Sequence, residues 1–444
     1  MRTSRCSLRI YTYPTQQRPL TDLLSFVRVH GHKHCGASAL TSCQSTSFWP
    51  NNRQYSADVL IWQALLRACS VTEDPNSAQV LVVPFLFGTA STLDWGMKWP
   101  RKSLASRLEL IKRNGIKLLS RLSYLNASSA ARHLVIWTTD VQFIDAHLVS
   151  GTLPWLQDAT FIHLGDDLVP ARAQARRSIL QPLRNSITVP YRIRHWCPFG
   201  FPPPARRKQH LLLANINPGR HVSRARLVVG LKRRAIELGI EDQVLLPSLV
   251  DMGHAANATA PNSSISLSTM MSPLVAAERA LESNFCLCPT GDSKGFTSRF
   301  YFSIVHGCLP VRYDGWRRQL NATVAVAYPF THRIDWARFV VEAPDNADDQ
   351  LLDMLLAMPA DEVRRRLEYM QSIAPLLIYT EDGSVGGAAN ALIEQLERRF
   401  SSQTQTAQEA SMTAGPGGLE GRTTGEGVLW WNANGASYKL YHKA

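Results

Sequence analysis

Three consecutive prolines, Pro202 to Pro204, separate two stretches of the chain that carry the same pattern. Because proline fixes φ and lacks a backbone N–H, this run cannot lie in a helix or in a central strand. On each side of it, short apolar runs typical of strands buried on both faces alternate with segments of helical spacing. The alternation predicts an α/β fold with two domains, each built on a doubly wound parallel sheet.

The predicted organisation follows from these prolines and from the length of 444 residues, which exceeds what a single core usually supports. An N-terminal domain is predicted over 1–196, a linker over 197–208, a C-terminal domain over 209–400 and a disordered tail over 401–444. The tail is assigned from its content of Gly, Ser, Thr, Gln and Glu. Two successive α/β domains leave a cleft between them, and ligands of open α/β sheets bind at the carboxyl ends of strands.

The net charge of +13 and the pI near 9.5 suggest an acidic partner. Between Leu168 and Ala235 there is no Asp or Glu, whereas fifteen Arg and Lys residues occur. This acid-free basic segment fits a surface that faces phosphate, uronate or sulfate. It fits a solvated, arginine-rich region equally well, and the sequence leaves both interpretations open.

The eight cysteines include no Cys-x-x-Cys pair. Cys286 and Cys288 are predicted to be core thiols, because their spacing places both on one face of a strand and does not suit zinc. Cys35 and Cys43 are the pair expected to form a disulfide if the compartment is oxidising. The segment from His30 to Cys35 has metal-like spacing but lacks a second ligand cluster, so no metal site is predicted.

Targeting signals are scarce in this sequence. No apolar segment typical of a signal peptide precedes the first predicted strand, and no run of about 18 apolar residues occurs, so neither a cleavable signal nor a membrane span is expected. Four Asn-x-Ser/Thr sequons point weakly to the secretory lumen. These predicted glycosylation sites are Asn126, Asn257, Asn262 and Asn321.

Residues 284–311 have the pattern of a strand, a polar loop, a helix and a second strand. Glycines let the loop backbone approach a ligand closely, Thr297 or Ser298 can cap the helix, and Arg299 offers a fork of donors in its first turn. Together these features predict a pyrophosphate cradle, with a plain connector as the alternative. The loop matches neither GxGxxG nor GxxxxGK[ST]. The predicted binding residues here are Gly291, Asp292, Ser293, Lys294, Ser298 and Arg299.

Several blocks, taken in order, resemble the exostosin-like glycosyltransferases, known as glycosyltransferase family 47. That family shows a strand FCLCP, a Gly-containing loop, Ser-x-Arg at a helix start and then Gly-Cys-[Ile/Leu]-Pro-Val. The corresponding blocks of this chain lie at 285–289, 291–293, 298–299 and 307–311. Further similar blocks are LRIYTYP at 8–14, VTEDPNSAQVLVVPF at 71–85, PF at 329–330 and IDW at 334–336. The similarity therefore spans roughly residues 8–380, and its order is more specific than any single block.

The resemblance implies a GT-B fold, in which two Rossmann-like domains face a central cleft. It implies inverting transfer of a sugar from a nucleotide-sugar donor, with a UDP-sugar as the first candidate, to a glycan acceptor that is anionic in some cases. It also implies that the reaction needs no bound metal. The donor nucleotide would lie mainly against the C-terminal domain. The resemblance also implies location in the Golgi and assembly into a homo- or heterodimer. Membrane association is expected only if an anchor is missing from this chain.

Two positions depart from the family pattern. Thr290 stands where the family has a basic residue, although Lys294 could supply the charge from the same loop. Phe302 stands where the family has an Asp or Glu that accepts from donor hydroxyls, and no replacement is evident. These departures motivate a second hypothesis, a catalytically weak subunit that binds nucleotide or glycan. A nucleic-acid-binding protein ranks last, because no recognised module accompanies the basic segment, and no nucleic-acid partner is expected.

Inverting transfer needs a general base that faces the cleft from the N-terminal domain. Asp140 and Asp166 are the candidates, since each follows a predicted strand, and Asp167 competes with Asp166. The alternative for each is a helix N-cap. Arg220 and Arg224 follow the first strand of the second domain and are predicted to neutralise the departing diphosphate. Their alternative is solvent-facing charge on a basic helix.

Overall fold

The structure is a computed structural model of the chain. It describes residues 6–13, 57–83, 119, 122–138, 158–164, 185–193, 208–216, 222–247, 271, 273–289, 297–313, 328–344, 347–379 and 386–413. Beyond Ser401 only the backbone is described. The chain divides into two units, Met1–Phe400 and Ser401–Ala444, and the sheets described below belong to the first.

The first half of the chain forms a parallel sheet. Its strands in the described residues are β1 (Arg9–Thr12), β2 (Ser70–Val71), β3 (Val80–Val83), β4 (His133–Trp137), β5 (Thr160–Leu164) and β6 (Ser186–Val189). They lie in the order β2-β1-β3-β4-β5-β6. The helix α1 (Ala57–Ala68) connects β1 to β2, and a short 3-10 helix (Ala130–Arg132) leads into β4. Nearly all strand residues except those of β2 are buried, as continuous apolar runs in a parallel sheet should be.

The second half forms another parallel sheet. Its described strands are β7 (His210–Leu213), β8 (Val244–Leu245), β9 (Ser283–Pro289), β10 (Leu309–Tyr313) and β11 (Val341–Glu342), in the order β11-β10-β9-β7-β8. Helices among these residues are α2 (Val222–Leu238), α3 (Pro273–Glu282), α4 (Ser298–Val305), α5 (Ala347–Leu356), α6 (Ala360–Ile373) and α7 (Gly387–Thr413). Short 3-10 helices span Glu241–Gln243, Trp336–Arg338 and Ala374–Leu377.

Both sheets share one strand order, in which the first strand lies between the second and the third. After β7 the chain crosses through α2 to one side, and after β9 it crosses through α4 to the other side. A crevice therefore opens between the carboxyl ends of β7 and β9, as it does between those of β1 and β3. Two Rossmann-like parallel sheets in one chain confirm the predicted α/β class, and their GT-B arrangement stays a prediction. The cleft between the two halves remains a prediction.

Several predicted boundaries agree with the structure, including those of β4, β5 and α2. The predicted tail needs a correction, because α7 continues to Thr413 instead of ending before Ser401. The added segment contains no Gly or Pro and reaches Gly415-Pro416 before meeting a helix breaker, so helix formation can continue. Most of the predicted linker lies outside the described residues, and the division into two domains stays a prediction.

Lys208, the last residue of the predicted linker, is anchored in the second half. Its ammonium donates to the carbonyl oxygen of Leu281 at 3.0 Å and to that of Gly307 at 2.7 Å. Burial lowers the pKa of this lysine to about 8. Since both carbonyls lie at the C-terminal ends of helices, the positive charge also meets two helix dipoles favourably.

Disulfides correct the cysteine assignment. Cys286 is bonded to Cys308 instead of being a free core thiol, and Cys6 is bonded to Cys69. The first pairing arises because Cys308 enters β10 beside its parallel neighbour β9, with a Cα–Cα distance of 5.7 Å. Cys288 is a buried free thiol, as predicted. The expected pair Cys35 and Cys43 lies outside the described residues.

The first sheet buries two histidines completely, His133 in β4 and His163 in β5. The His133 Nε2 lies 2.7 Å from the Tyr13 hydroxyl, and its Nδ1 lies 2.8 Å from the Ser129 carbonyl oxygen. The His163 Nδ1 lies 3.1 Å from the Leu164 carbonyl oxygen, whereas its Nε2 is buried without a hydrogen-bond partner. Burial lowers the pKa of each histidine to about 4.

Acid is therefore expected to destabilise the fold through these two histidines. Their folded pKa is depressed, so below about pH 6.5 the unfolded chain binds protons that the folded chain refuses until about pH 4. The free energy of unfolding should fall by about 3 kcal/mol per histidine between pH 7 and pH 4. Urea unfolding of His163→Leu should show a shallower pH dependence than the wild-type chain, with little loss at pH 7. The same pH dependence in both proteins would contradict this account.

Candidate functional site

The candidate site begins at the carboxyl end of β9. This strand is buried along its length and lies between β7 and β10, so the helix that follows it, α4, starts beside the crevice between β7 and β9. The helix ends at Val305 and is followed by Gly307, whose φ of +67° favours glycine, and the Cys308 N–H donates to the Ser303 carbonyl oxygen at 3.0 Å. The disulfide between Cys286 and Cys308 closes this strand–loop–helix unit covalently.

Two side-chain donors at the start of α4, those of Thr297 and Arg299, have no acceptor among the described residues. Thr297 is the N-cap residue, with extended backbone, but no side chain caps the helix. The Thr297 hydroxyl is buried and makes no hydrogen bond. The predicted capping by Thr297 or Ser298 is therefore wrong, because a capping residue type does not by itself rotate its hydroxyl onto the first-turn amides. The Phe300 N–H donates to the Thr297 carbonyl oxygen at 3.0 Å, so an anion would meet the Ser298 and Arg299 amides and the positive end of the helix dipole.

Arg299, in the first turn of α4, carries a half-buried guanidinium. Within the described residues its side chain makes no hydrogen bond or ion pair, and burial lowers its pKa. The neighbouring thiol of Cys288 does not supply a counter-charge, because burial raises the pKa of that thiol to about 11. Its Sγ lies 3.3 Å from the Ser303 hydroxyl, which donates to the Arg299 carbonyl oxygen at 2.8 Å. A desolvated positive charge thus lacks a negative partner in the described fold.

Aromatic rings pack against the buried side of α4. The Phe300 ring stacks on Trp336 with centroids 5.9 Å apart, and Trp336 stacks on Tyr328 at 4.8 Å. The Trp336 indole N–H donates to the Pro329 carbonyl oxygen at 2.8 Å. The IDW and PF blocks therefore act structurally, by supporting the helix that carries Arg299.

From the first half of the chain, Tyr191 approaches the same helix. Its ring lies 5.9 Å from that of Tyr301, and both tyrosines are buried. The start of α4 is accordingly fixed by both halves of the chain, which limits its freedom to move before a ligand arrives.

Phe302 occupies the position where the resembling family has a carboxylate. Its ring is half-buried against the cluster that contains Leu213 and the disulfide of Cys286 and Cys308. It also lies over the His306 ring, with centroids 4.1 Å apart. The position therefore contributes packing and offers no acceptor for hydroxyl groups.

Arg224 lies in the first turn of α2, the helix that follows β7, across the crevice from α4. Arg224 is buried, with only 6% of its surface exposed. The alternative of a solvent-facing charge is therefore wrong for this arginine. It follows β7, the strand next to β9. Whether it contacts a ligand remains a prediction.

Farther along α2 the basic segment is neutralised. Arg233 pairs with Asp349, and Arg234 donates to Asp353 at 2.6 and 2.9 Å. Both carboxylates belong to α5, outside the acid-free segment. The positive charges at this end of α2 are thus paired with carboxylates of the fold. This pairing weakens the interpretation of the whole acid-free basic segment as one anion-binding surface.

A carboxylate that sequence reasoning missed lies farther along the same edge. The Glu342 side chain ends β11 and is held by Arg312 of β10, whose Nε lies 2.8 and 2.9 Å from its two oxygens. The Tyr328 hydroxyl donates to it at 3.3 Å. The signal was available, since an acidic residue at the carboxyl end of a strand is a common ligand-facing position in α/β sheets.

Many predicted site residues lie outside the described residues, so their placement is untested. These are Asp140, Asp166, Asp167, Arg220, Thr290, Gly291, Asp292, Ser293, Lys294, Asn257, Asn262, Asn321 and the segment 30–35. Across the described ranges, no group of three or more His, Cys, Asp or Glu could hold a metal ion. No helix in the described part of the chain is long and apolar enough to cross a membrane.

Comparison with known proteins gives no family assignment: no family model and no curated protein matches the chain. Among solved structures, the crystal structure of the GtfA/B complex is 11% identical with a TM-score of 0.32, covering 68% of this chain and 63% of that one. The crystal structure of the pneumococcal O-GlcNAc transferase GtfA in complex with UDP and GlcNAc is 14% identical with a TM-score of 0.30, covering 66% and 59%. The chain thus spans about three fifths of each. At such TM-scores neither likeness assigns a fold or a function.

The described geometry nevertheless has a chemical meaning. The buried Thr297 hydroxyl and the Arg299 guanidinium, which have no hydrogen-bond partner among the described residues, lie beside the first-turn amides of α4 at the edge of a topological switch point. Such donors bind a group with several negatively charged oxygens, of which a diphosphate is the common biological case.

Proposed function

We propose that the protein is an inverting glycosyltransferase that uses a nucleotide sugar as donor, a UDP-sugar first among them, and a glycan as acceptor. The observation that carries this proposal is the half-buried Arg299 guanidinium, which meets no anion in the described fold. The Thr297 hydroxyl and the first-turn amides of α4 lie next to it. The ordered sequence blocks that resemble the exostosin-like family support the same reading of this helix start.

In the proposed reaction a general base takes the proton of an acceptor hydroxyl, and the oxygen attacks the anomeric carbon of the donor sugar. The bond from that carbon to the nucleoside diphosphate breaks, and the configuration inverts. Arg299 and the α4 amides stabilise the charge that develops on the departing diphosphate. Asp140 and Asp166 stay the proposed bases, and Arg220 and Arg224 the proposed additional diphosphate contacts.

A second candidate is a subunit that binds nucleotide or glycan with little or no turnover. Phe302 favours it, because its ring fills the place of a carboxylate and offers donor hydroxyls no acceptor. Both candidates share the donor site, so nucleotide binding tests both together and turnover separates them.

Isothermal calorimetry of the full chain with the nucleoside diphosphates of uracil, guanine, adenine and cytosine is the first test. We expect one diphosphate to bind at least about ten-fold more tightly than its nucleoside, because the donors at α4 address phosphate oxygens. Equal affinity for diphosphate and nucleoside, or no binding of any, would remove the transferase and the nucleotide-binding form of the second candidate. Release of nucleoside diphosphate from a nucleotide-sugar panel then supports the transferase, whereas binding without release supports the inactive subunit.

The proposed location is the secretory pathway, with the Golgi as the compartment that the resemblance implies. The disulfides Cys6–Cys69 and Cys286–Cys308 support it, since disulfides persist in oxidising compartments.

A further inference from the structure

Asn126 lies in an exposed turn before β4. It begins the sequon Asn126-Ala127-Ser128, and all three residues are exposed. Within the described ranges this is the one sequon present, because Asn257, Asn262 and Asn321 lie outside them.

The hydrogen bonds of Asn126 leave its amide nitrogen free. Its Oδ1 accepts from the Ser128 N–H at 3.0 Å, the Ser128 hydroxyl at 2.7 Å, and the Ser129 N–H and hydroxyl at 3.2 Å each. From Nδ2, by contrast, no hydrogen bond to a described residue is found. A substituent on Nδ2 would therefore displace none of the bonds that shape this turn.

The turn itself is well anchored. The Tyr124 ring lies 5.8 Å from the Tyr11 ring and 6.1 Å from the Tyr13 ring. On the far side, Arg132 donates to the Pro75 carbonyl oxygen at 2.6 Å. The exposed Asn126 is thus presented on an anchored turn.

The position of the turn also keeps it away from the candidate chemistry. Residues 130–132 run directly into the amino end of β4, so Asn126 sits at the amino edge of the first sheet. In parallel sheets all amino ends share one edge, and ligands bind at the opposite, carboxyl edge. A bulky group at Asn126 would leave the carboxyl edge open.

We propose that Asn126 carries an N-linked glycan. In the transfer, the Asn126 Nδ2 forms a bond to the anomeric carbon of a lipid-diphosphate-linked oligosaccharide. The bond from that carbon to the diphosphate oxygen breaks, the lipid diphosphate leaves, and the amide nitrogen loses one proton to the base of the oligosaccharyltransferase. The two described disulfides indicate an oxidising compartment of the kind in which this transfer occurs. The proposal is independent of the proposed glycosyltransferase activity.

Peptide mapping of the full chain, isolated from the cells that make it, tests this assignment. After treatment with peptide-N-glycosidase, the peptide containing residue 126 should read Asp at that position, and untreated it should carry a glycan. An unmodified Asn126 in a chain whose Cys6–Cys69 bond is intact would overturn the proposal. Glycans found only at Asn257, Asn262 or Asn321 would overturn it as well.

Two variants of the sequon hydroxyl give a matched comparison in the same cells. Ser128→Ala removes the acceptor hydroxyl, and we expect one mobility step to be lost on a gel. Ser128→Thr keeps a hydroxyl, and we expect the step to remain. If Ser128→Ala migrates like the wild-type chain, with no step lost, the assignment is wrong. The peptide map of the wild-type chain decides the question even if Ser128→Ala fails to accumulate.

Discussion

Replacing Arg299 with alanine is expected to remove most nucleoside diphosphate binding while the melting temperature hardly changes. The guanidinium makes no hydrogen bond or ion pair within the described fold, so its removal costs the folded chain little. Hydrogen bonds from a charged donor to a charged acceptor contribute about 2–3 kcal/mol, which corresponds to a roughly 30- to 150-fold weaker Kd. Calorimetry with the best-binding nucleoside diphosphate and thermal unfolding of the same preparation measure both quantities.

The matched control for this substitution is Arg365→Ala. Arg365 is an exposed arginine of α6, far in sequence from the candidate site. It should change neither affinity nor melting temperature. If Arg299→Ala instead lowers the melting temperature strongly while the remaining folded protein binds nucleotide as before, Arg299 has a structural role and the proposed donor site is wrong.

Removing the Cys286–Cys308 disulfide is expected to impair both stability and nucleotide binding. The bond closes a loop with a sequence separation of 22 residues, for which chain entropy gives about 3 kcal/mol of stability. That loop contains the segment before α4 together with Thr297 and Arg299. Opening it lets the donors sample more conformations, so the double variant Cys286→Ala/Cys308→Ala should bind nucleotide roughly 3- to 10-fold more weakly.

The other described disulfide supplies the control. Cys6–Cys69 has a sequence separation of 63 residues, so its removal should cost about 4 kcal/mol by the same estimate. It ties the start of β1 to the end of α1, away from α4, and nucleotide affinity should be unchanged in Cys6→Ala/Cys69→Ala. Urea unfolding and calorimetry of both double variants test this contrast. Equal losses of affinity would show that the effect is general loosening and that the Cys286–Cys308 bond has no specific role at the site.

The long apolar strands of the fold could be predicted from the sequence because burial on both faces leaves an unbroken hydrophobic signal. β4 and β5 are such strands, and their predicted bounds agree with the structure. β2 was missed, since it has two exposed residues at the sheet edge, Ser70 and Val71, and carries no burial signal. Strand order was also not predictable, because it depends on which strands pair across long sequence separations.

The candidate site was likewise predictable only in part. Its position, at a helix start after a strand, followed from local pattern, and so did the identity of Arg299. The charge environment of Arg299 could not be predicted, because it depends on the absence of acidic side chains near the guanidinium in the described fold. The side-chain state of Thr297 and the partner of Cys286 depend on rotamers and on tertiary contacts that no local pattern records. The helical pattern did not show whether the Arg224 side chain faces solvent or the interior, because that depends on how the helix packs.

The last helix, α7, contacts the residues just before β1 and also β5. The Ser7 hydroxyl donates to the Glu397 carboxylate at 2.8 Å, and Arg399 donates to the Thr160 hydroxyl of β5 at 2.9 Å. Because residues 7 and 397 meet, a short peptide could join this part of α7 to the start of the first strand, and new ends could be opened in a surface loop elsewhere. Circularly permuted versions of the protein are thus within reach, and they would show whether the order in which the two sheets are synthesised matters for folding.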